Sequence, residues 1–586
     1  MGGDATPRGP QVGPVAVGAR VVRVLPDAPA IDKEFDYSVP YGLDVRVGSL
    51  VRIPLHGRRH GGWVVAEEVT PPPGVVVRPL TKVTGWGPAA ELVDLAAWAA
   101  WRWAGRRAHF LRTASPDRVV QGLPAVTRVP PAGGAPDSLA EEALGSGRAV
   151  ARVPPAYDLG PLLLAAARRG TTLVVAPSHA DAAGHAARLR QAGLSVALLP
   201  NEWARAAAGA QVVIGARAAA WGPALDLAAV VVLDEHAEGH QEEAAPTWSA
   251  RDVAVERARR SGVPCVLTSP CPSLEALGWG RLVAPSRAAE RSGWPVVEVT
   301  DRPSATDLYS RRLVDLVRSG ARVVCVLNRT GRVRLLLCAA CEEPARCEAC
   351  GAAVSSGEGA GGDRLLTCRS CGTVRPLVCL QCGAGRFKAR RLGVSRARED
   401  LERLAGVPVA EVTGASPAGG GDAAVLVGTE AVLHRAGGAD AVAFLDFDAE
   451  LLAPRYRAAE DALALLALAG RLVGGRGGRL LLQTRLADHE VVQAAVRADP
   501  SRVATVESER RASLRFPPTV ALAQVSGAPA AGYVAAFQGR PGLELLGPVD
   551  GAWLIRAPDH SVLCDALASV PRPPGRLRVA VDPRRI

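Results

Sequence analysis

The sequence predicts a multidomain α/β protein with a small N-terminal β domain, two α/β blocks and a C-terminal α+β domain. Its 586 residues exceed the usual size of one domain. From about residue 138, apolar runs of strand length alternate with Ala-, Leu- and Arg-rich runs of helix length, which is typical of parallel sheets covered by helices. A cysteine-rich segment, residues 338–385, interrupts the second block.

The N-terminal part, residues 17–86, is predicted to be the small β domain. It contains the Val-rich segments VVRVLPD, FDYSVP, SLVRIPL and GGWVVAEEV, which are separated by Gly and Pro. A Gly/Pro tail, residues 1–16, precedes it and is expected to be disordered. Residues 87–137 hold a helix with three Trp, a stripe more typical of core packing than of a ligand site, and then the linker VPPAGGAPD.

Two α/β blocks follow. The first, residues 138–290, has the candidate strands TTLVVAPS, AQVVIGA, AAVVVLDEH and VPCVLTSP. The second, residues 291–337 and 386–499, has the candidate strands ARVVCVLN, AAVLVGTE, AVAFLDFD and GRLLLQT. The two blocks share no sequence repeat, but their common pattern predicts a duplicated architecture. The C-terminal domain, residues 500–586, has short strands and Pro/Gly turns.

Four CxxC pairs form the most specific motif. They are Cys338/Cys341, Cys347/Cys350, Cys368/Cys371 and Cys379/Cys382. One pair supplies half of a tetrahedral four-sulfur shell, so four pairs predict two zinc ions. A closed shell has no open coordination position, which predicts structural zinc. The alternative is a disulfide knot of a secreted domain, and the length of the chain argues against it.

The bulk composition narrows the function classes. A net charge of +11 and a pI near 9.3 favour a polyanionic partner, although a solvated basic surface gives the same numbers. No run of 18 or more apolar residues occurs, so we expect no membrane span and no membrane partner. The first residues lack a signal-peptide pattern. We therefore expect a soluble cytoplasmic protein.

Asp234 and Glu235 follow directly on an apolar run in VVVLDEH. An acidic pair at such a strand end is where nucleoside triphosphatases hold Mg²⁺ and activate the attacking water. The motif alone is weak, because acidic strand ends without a ligand are more common in α/β proteins.

Further segments extend this motif in a fixed order. They are WSARDVAVERA, LTSPCPSLEAL, VLVGTEAVLHR and LALAGRLVGGR. The set resembles a superfamily 2 helicase core. The wider match, from about residue 20 to the C-terminus, resembles the bacterial primosomal replication restart family (PriA, primosomal protein N′). The position of the CxxC pairs and the segment SERRASLRFPPT, residues 508–519, are part of that resemblance.

The resemblance implies two RecA-like helicase lobes, with the cysteine module inserted in the second. It also implies a nested pairing of the cysteines. One zinc would be bound by Cys338, Cys341, Cys379 and Cys382. The other would be bound by Cys347, Cys350, Cys368 and Cys371. The region after the Trp-rich helix is short, so the family's winged-helix domain is expected to be truncated or lost.

The resemblance further implies that the N-terminal β domain binds the 3′ end of a nascent DNA strand. The family's pocket residues fall on Phe35, Asp36, Tyr37, Gly57 and Lys82. An aromatic ring can stack on a terminal base, a carboxylate can accept from a base edge or the 3′-hydroxyl, and a lysine can contact a phosphate. Ordinary strand packing is the alternative explanation of Phe35, Asp36 and Tyr37.

The chain departs from the family at the phosphate-binding loop. The family carries GxTGSGKT, whereas residues 148–170 read RAVARVPPAYDLGPLLLAAARRG. This stretch has no GK[ST] motif, no clustered Gly and no Lys, and Pro154 and Pro155 lack backbone donors.

Two other helicase motifs are also altered. The family's DEEH is shortened around Asp234 and Glu235, and Arg471 persists while Gly474 replaces the second arginine of AGRAGR. Positioning and charge neutralisation supply nearly all catalysis in phosphoryl transfer. We therefore expect Asp234 and Glu235 to be degenerate and inactive beside the retained Arg471, so that the site does not turn over ATP with Mg²⁺.

The expected function is that of a replication restart factor, associated with the nucleoid. It would recognise forked and single-stranded DNA and recruit primosome and helicase-loading proteins, and a single-stranded DNA-binding protein is a further candidate partner. Two alternatives remain open. One is an active ATP-dependent 3′–5′ DNA helicase with an unconventional nucleotide site, and the other is a zinc-ribbon scaffold that binds only proteins.

Overall fold

The computed structural model describes most of the chain. The described residues are 20–28, 31–73, 75–129, 137–300, 308–327, 336–358, 364–368, 371–389, 393–412, 414, 416 and 423–586. The tail expected over residues 1–16 and most of the expected linker lie outside them.

The N-terminal domain is a six-stranded sheet. Its strands are β1 (Val21–Pro26), β2 (Phe35–Ser38), β3 (Leu50–Leu55), β4 (Arg58–Ala66), β5 (Arg78–Pro79) and β6 (Lys82–Gly85). Their order is β5-β2-β1-β4-β3-β6. The two edge strands are joined by the short segment 80–81, so the sheet closes on itself around a Val-rich core. Strand alternation sends Val22 and Val24 inwards and Arg23 outwards.

Two helices join this domain to the rest of the molecule. They are α1 (Ala90–Arg102) and α2 (Arg107–Ala114). Trp103, Phe110, Trp221 and Trp248 are buried and follow one another at centroid distances of 6.2, 5.4 and 6.0 Å. Trp98 packs edge-on against Trp103 at 5.3 Å. This aromatic core links the helices to the first α/β lobe, and the Trp stripe is therefore part of the packing.

Lobe 1 has a seven-stranded parallel sheet with helices on both faces. Its elements are α3 (Ser138–Gly145), β7 (Arg148–Arg152), α4 (Gly160–Arg169), β8 (Thr171–Val175), α5 (His179–Gln191), β9 (Val196–Leu198), α6 (Trp203–Ala207), β10 (Val212–Gly215), β11 (Leu227–Val232), α7 (Ala250–Ser261), β12 (Cys265–Ser269), α8 (Leu274–Trp279), β13 (Arg281–Val283) and α9 (Arg287–Ser292). The strand order is β13-β7-β12-β11-β8-β10-β9.

Lobe 2 contains the inserted cysteine module. The elements in chain order are β14 (Val296–Thr300), α10 (Arg311–Arg318) and β15 (Val323–Val326), then the module strands β16 (Leu336–Cys338), β17 (Val354–Glu358), β18 (Arg364–Cys368), β19 (Val374–Pro376) and β20 (Phe387–Ala389), then α11 (Val394–Ala405), β21 (Val409–Val412), β22 (Val425–Gly428), α12 (Ala431–Arg435), β23 (Ala441–Phe444), α13 (Asp448–Leu451), α14 (Ala458–Leu472), β24 (Arg479–Gln483), α15 (Glu490–Arg497) and α16 (Ser501–Leu514).

The two lobes repeat one topology. The sheet of lobe 2 has the order β14-β24-β23-β15-β22-β21. When the strands of each lobe are numbered along the chain, both sheets read 1-6-5-2-4-3, and lobe 1 adds β13 beside its first strand. The predicted duplicated architecture is therefore confirmed.

The C-terminal domain is a four-stranded antiparallel sheet with helices. Its elements are β25 (Ala521–Ser526), α17 (Ala530–Ala535), β26 (Glu544–Val549), β27 (Ala552–Ala557), α18 (His560–Ser569) and β28 (Arg578–Val581), with strand order β26-β27-β25-β28. Together these domains confirm the predicted multidomain α/β fold class. Among the described helices, none combines the length and the apolar character needed to cross a bilayer.

Candidate functional site

The four CxxC pairs adopt one repeated turn. In each turn the backbone N–H of the residue that follows the second cysteine donates to the carbonyl of the first cysteine, at 2.9–3.0 Å. The backbone N–H of the first cysteine donates to the carbonyl of the residue two positions after the second cysteine, at 2.8–2.9 Å. The residue after the second cysteine is left-handed, with φ of 61° at Glu342 and 75–79° at three glycines. The sequence signal for these turns, a Gly after CxxC, is present in three of the four pairs.

These turns bring the eight cysteines together in two sets of four. One set is Cys338, Cys341, Cys379 and Cys382, and the other is Cys347, Cys350, Cys368 and Cys371. The four sulfurs of each set lie within 4.8 Å of one another. The closest sulfurs that come from different turns are 3.5–3.6 Å apart. A tetrahedral zinc with Zn–S bonds of about 2.3 Å needs sulfurs about 3.8 Å apart, whereas a disulfide needs about 2.05 Å. The donor sets therefore fit two zinc ions, and all cysteines are free thiols.

Glu342 attaches the cysteine module to lobe 2. Its carboxylate accepts from Lys388 of the module at 2.9 Å and from Arg485 after β24 at 3.2 Å, and its carbonyl accepts from Arg485 at 2.5 Å. The backbone N–H of Ala353 also donates to the carbonyl of Leu452 in lobe 2 at 2.8 Å. Sequence reasoning missed Glu342, because its only local signal is a non-Gly residue where the other three turns have Gly.

The loop between β7 and α4 is where the sequence resemblance places the altered phosphate-binding loop. Pro154 and Pro155 carry no N–H, and the N–H groups of Val153, Ala156 and Tyr157 donate to carbonyls within the protein at 3.0–3.2 Å. At the start of α4, the N–H of Gly160 donates to the Asp158 carboxylate at 3.0 Å. These donors are engaged internally, and a carboxylate rather than a cation lies at the helix N-terminus.

The same loop is pressed against lobe 2. A Cβ built on Gly470 of α14 would lie 3.3 Å from Pro155, and one built on Gly475 would lie 3.0 Å from Ala156. The guanidinium of Arg471 also donates to the carbonyl of Pro155 at 3.4 Å. Contacts this close leave no space for a phosphate between the loop and α14.

Asp234 is held by an ion pair that joins the lobes. Arg471 of lobe 2 donates through both terminal nitrogens to its two carboxylate oxygens, at 2.6 and 2.8 Å. Burial by itself would raise the pKa of Asp234, but the Arg471 charge outweighs it and holds that pKa below its usual value. Both carboxylate oxygens of the expected Mg²⁺ ligand are therefore occupied by a cation of the protein.

Glu235 is held within lobe 1. Its carboxylate accepts from the backbone N–H of Ser273 at 2.7 Å, from the Ser273 hydroxyl at 2.8 Å and from Arg251 at 3.2 Å. The side chain has no solvent exposure. A general base must reach the water that it activates. Glu235 instead anchors the N-terminus of α8.

A cleft of about 1590 Å³ lies beside these groups, between the lobes. Its lining includes Asp234, His236, Arg471 and Arg584. Residues 153–160, all of which the structure describes, do not contribute to it. The cleft is large enough for a nucleotide, but the loop that would have to hold phosphates does not line it.

The five predicted DNA-end residues lie on different faces of the N-terminal domain. Tyr37 points into its core, and its hydroxyl donates to the carbonyl of Pro54 at 3.2 Å, close to the β3–β4 turn that contains Gly57. Phe35 packs against the same core. Lys82 is exposed on β6.

Asp36 lies on the opposite face of β2 from Phe35 and Tyr37. Arg23 on the neighbouring strand donates to its carboxylate oxygens at 2.8 and 3.3 Å. The register pairs Asp36 directly with Arg23, so the ion pair follows from the strand alternation. The aromatic pair and the carboxylate therefore point to different sides of the sheet.

Comparison with known proteins gives two kinds of match. Residues 23–116 match a family model described as a 3′DNA-binding domain (3′BD). The chain is also 30% identical, over an alignment of 588 positions, to the probable replication restart protein PriA of Mycobacterium tuberculosis, and the match covers 89% of each chain. The probable replication restart protein PriA of Mycobacterium leprae is 29% identical over 93% of this chain and 94% of the relative. The replication restart protein PriA of Bacillus subtilis is 26% identical over 58% of this chain and 46% of its own length.

Among solved structures, Saccharomyces cerevisiae Dbp5 bound to RNA and ADP BeF3 matches 65% of this chain and 94% of its own, with 11% sequence identity and a TM-score of 0.37.

Proposed function

The chain belongs to the PriA family of replication restart proteins, as its motifs predicted, and from that premise we propose that it recognises stalled or forked DNA and recruits primosome and helicase-loading proteins without unwinding DNA itself. The helicase-like pair of lobes would then serve as a rigid body that holds a DNA-reading domain and a zinc module in fixed positions.

DNA recognition is supported by the match of residues 23–116 to a 3′DNA-binding domain. Within it we propose Phe35, Gly57 and Lys82 as the residues that receive a 3′ end, with the buried Tyr37 supporting the pocket from the core of the domain. Phe35 is half-buried, so part of its ring faces solvent, and Lys82 supplies a cation for a phosphate. Asp36 would contact the DNA end only by exchanging its bond to Arg23 for one to the nucleotide.

The absence of ATP-driven unwinding is supported above all by the bidentate Arg471–Asp234 pair. A nucleotide-bound Mg²⁺ needs Asp234, and an arginine finger needs to reach a phosphate, yet here the two charges neutralise each other. In the loop before α4, Pro154 and Pro155 have no N–H, and the N–H groups of Val153, Ala156 and Tyr157 already donate to carbonyls of the protein. Binding and chemistry would therefore be lost together.

We propose that the cysteine module is the part of the chain that recruits partner proteins. We propose two zinc ions, one in each four-cysteine set, which would stiffen a small platform on lobe 2. The module exposes the apolar side chains of Val374, Val378 and Leu380, and it also carries exposed charged groups. Such a mixed surface suits a protein partner more than a DNA backbone.

The test measures two activities of the purified full chain on one substrate, a DNA fork with a free 3′ end. Fork binding in preference to plain duplex, without DNA-stimulated ATP hydrolysis, is the expected result. Hydrolysis that disappears in Asp234→Ala would establish the alternative, an active 3′–5′ helicase whose nucleotide uses the interlobe cleft. Absence of fork binding would favour the remaining alternative, a zinc-ribbon scaffold that binds only proteins.

A further inference from the structure

A second basic feature lies apart from the proposed DNA-end residues, at the junction of the N-terminal domain, lobe 1 and the C-terminal domain. It is a concavity of about 960 Å³, hereafter the junction concavity. Five arginines line it, and all five are exposed: Arg106, Arg112, Arg572, Arg576 and Arg578. Among the described residues, no aspartate or glutamate contributes to its lining.

These arginines converge from two parts of the chain that are far apart in sequence. Arg106 directly precedes α2 and Arg112 lies near its end. Arg572 and Arg576 lie in the segment of residues 571–576 between α18 and β28. That segment reads PRPPGR, and its prolines fix the backbone at little entropic cost, because proline has little freedom to lose on folding.

The segment is held in place by close backbone contacts. A Cβ built on Gly527, where φ is +111°, would collide with the carbonyl oxygen of Arg576, so only glycine permits this approach. Arg572 donates to the carbonyl of Ala104 after α1, which ties the C-terminal domain to the N-terminal helices. The arginines are thus presented by a defined structure.

The bonds of the C-terminal arginines do not neutralise their charge. Arg572 donates to a carbonyl, and Arg578 donates to the carbonyl of Glu243 at 3.0 Å and to the amide oxygen of Gln524 at 3.4 Å. These oxygens orient the guanidinium groups but carry no full negative charge. Arg112, by contrast, pairs with Asp27 at 2.5 Å, so the phosphate contacts are assigned to the C-terminal arginines.

We propose that the junction concavity binds the phosphate backbone of DNA that extends from the N-terminal domain towards the C-terminal domain. Guanidinium groups match phosphate oxygens in planar, bidentate geometry. DNA is favoured over an acidic peptide because α2, which lines the other side of the concavity, lies inside the segment that matches a 3′DNA-binding domain. This inference rests on the proposed DNA recognition and adds a contact that is independent of the DNA end.

The experiment compares Arg572→Ala/Arg576→Ala with the wild-type full chain on forks with and without a free 3′ end. Loss of two phosphate contacts should weaken binding roughly tenfold and reduce the slope of log K against log salt by about 1.4–1.8. The loss should be equal on both forks, so the preference for a free 3′ end stays unchanged. Arg576→Ala alone, which leaves the Arg572 bond in place, should give about half of the slope change.

The matched control is Arg205→Ala/Arg497→Ala, which removes two exposed arginines of lobes 1 and 2 and gives the same net charge. It should bind forks like the wild type. Equal binding and equal salt slope for the concavity variant and the wild type would overturn the proposal, as would an equal loss in the control. If the wild type itself does not bind forks, the proposed function fails first, and the two failures are distinguishable.

Discussion

Arg471 of lobe 2 and Asp234 of lobe 1, 237 positions apart in the chain, form a bidentate ion pair across the interlobe boundary. The carboxylate is buried, while the guanidinium is 40% exposed. A charge that binds a nucleotide in an active helicase would thus act here as a structural bond between the lobes.

This pair gives an asymmetric prediction for stability. Arg471→Ala leaves a buried carboxylate without its counter-ion and should lower the free energy of unfolding by about 2–3 kcal/mol, less than a fully buried pair because the guanidinium is partly solvated. Asp234→Ala should cost about 1 kcal/mol, because Arg471 can turn to solvent. Urea unfolding of both single variants and the double variant measures the difference.

Arg476→Ala is the matched control, since Arg476 is an exposed arginine in the turn that follows α14. It should change the free energy of unfolding by no more than about 0.5 kcal/mol. An additive double variant would show that the two side chains do not interact energetically, and equal destabilisation by the two single variants would contradict the predicted asymmetry.

Removal of metal should separate the module from the lobes. Structural zinc contributes roughly 10–16 kcal/mol of apparent binding free energy, much of it folding energy. We expect a strong chelator to release two zinc ions per chain and to make residues 336–389 sensitive to protease. The lobes should remain folded, because their cores consist mostly of residues outside the module. Metal analysis and timed proteolysis with mass spectrometry measure both effects.

Cys347→Ser/Cys350→Ser should reduce the zinc content from two ions to one, because both cysteines belong to the same set. Cys564→Ala, which removes a thiol of the C-terminal domain, should retain two. Loss of both ions in the double variant would contradict two separate sites, and concerted melting of the lobes would contradict an independent module.

Substitutions of Glu342 should separate two effects, the strain of its left-handed backbone and the contacts that attach the module to lobe 2. Glu342→Gly should keep two zinc ions, because glycine suits the left-handed turn, but should lose the carboxylate contacts to Lys388 and Arg485. Glu342→Ala loses the same contacts and keeps the backbone strain, so it should be about 1 kcal/mol less stable than Glu342→Gly. Hydrogen exchange should rise at the junction of module and lobe 2 in both variants.

Glu342→Gly and Glu342→Ala both lack the carboxylate, so a difference in stability between them reports the backbone strain alone. Arg346→Ala, which breaks a contact within the module, is a control for loss of charge pairing without loss of docking. Faster exchange in Arg346→Ala than in Glu342→Gly would argue against Glu342 as the attachment point.

Local signals made the strands and the cysteine turns predictable. Apolar runs such as VVVLDEH identify buried strands, and CxxC spacing identifies paired ligands, because each pattern lies within a few residues. No local pattern encodes which distant segments of the chain meet. Those meetings determine the Asp234–Arg471 pair, the Asp36–Arg23 pair and the junction concavity. Sequence reasoning therefore located Asp36 and Arg471 as residues of interest but could not show that each is already bound within the protein.

A buried histidine predicts the acid sensitivity of lobe 1. His240 is 2% exposed, and its Nε2 lies 2.8 Å from the carbonyl of Leu233. Burial lowers its pKa to about 4, although the bond to Leu233 acts in the opposite direction. The pKa of His240 in the folded protein lies below its unfolded value of about 6.5. The contribution of neutral His240 to the free energy of unfolding is therefore fully present above pH 6.5 and is lost as the pH falls towards 4. The loss should approach ~3 kcal/mol at most.

His240→Gln isolates this contribution, because it keeps a donor to Leu233 but has no group that becomes charged as the medium is acidified. The difference in unfolding free energy between wild type and variant should shrink or change sign as the pH falls from 6.5 to 4. His179→Gln, at an exposed position on α5, should follow the wild type at every pH. Parallel pH profiles for the wild type and His240→Gln would mean that His240 is protonated in the folded protein, and that its burial does not determine the acid sensitivity of this lobe.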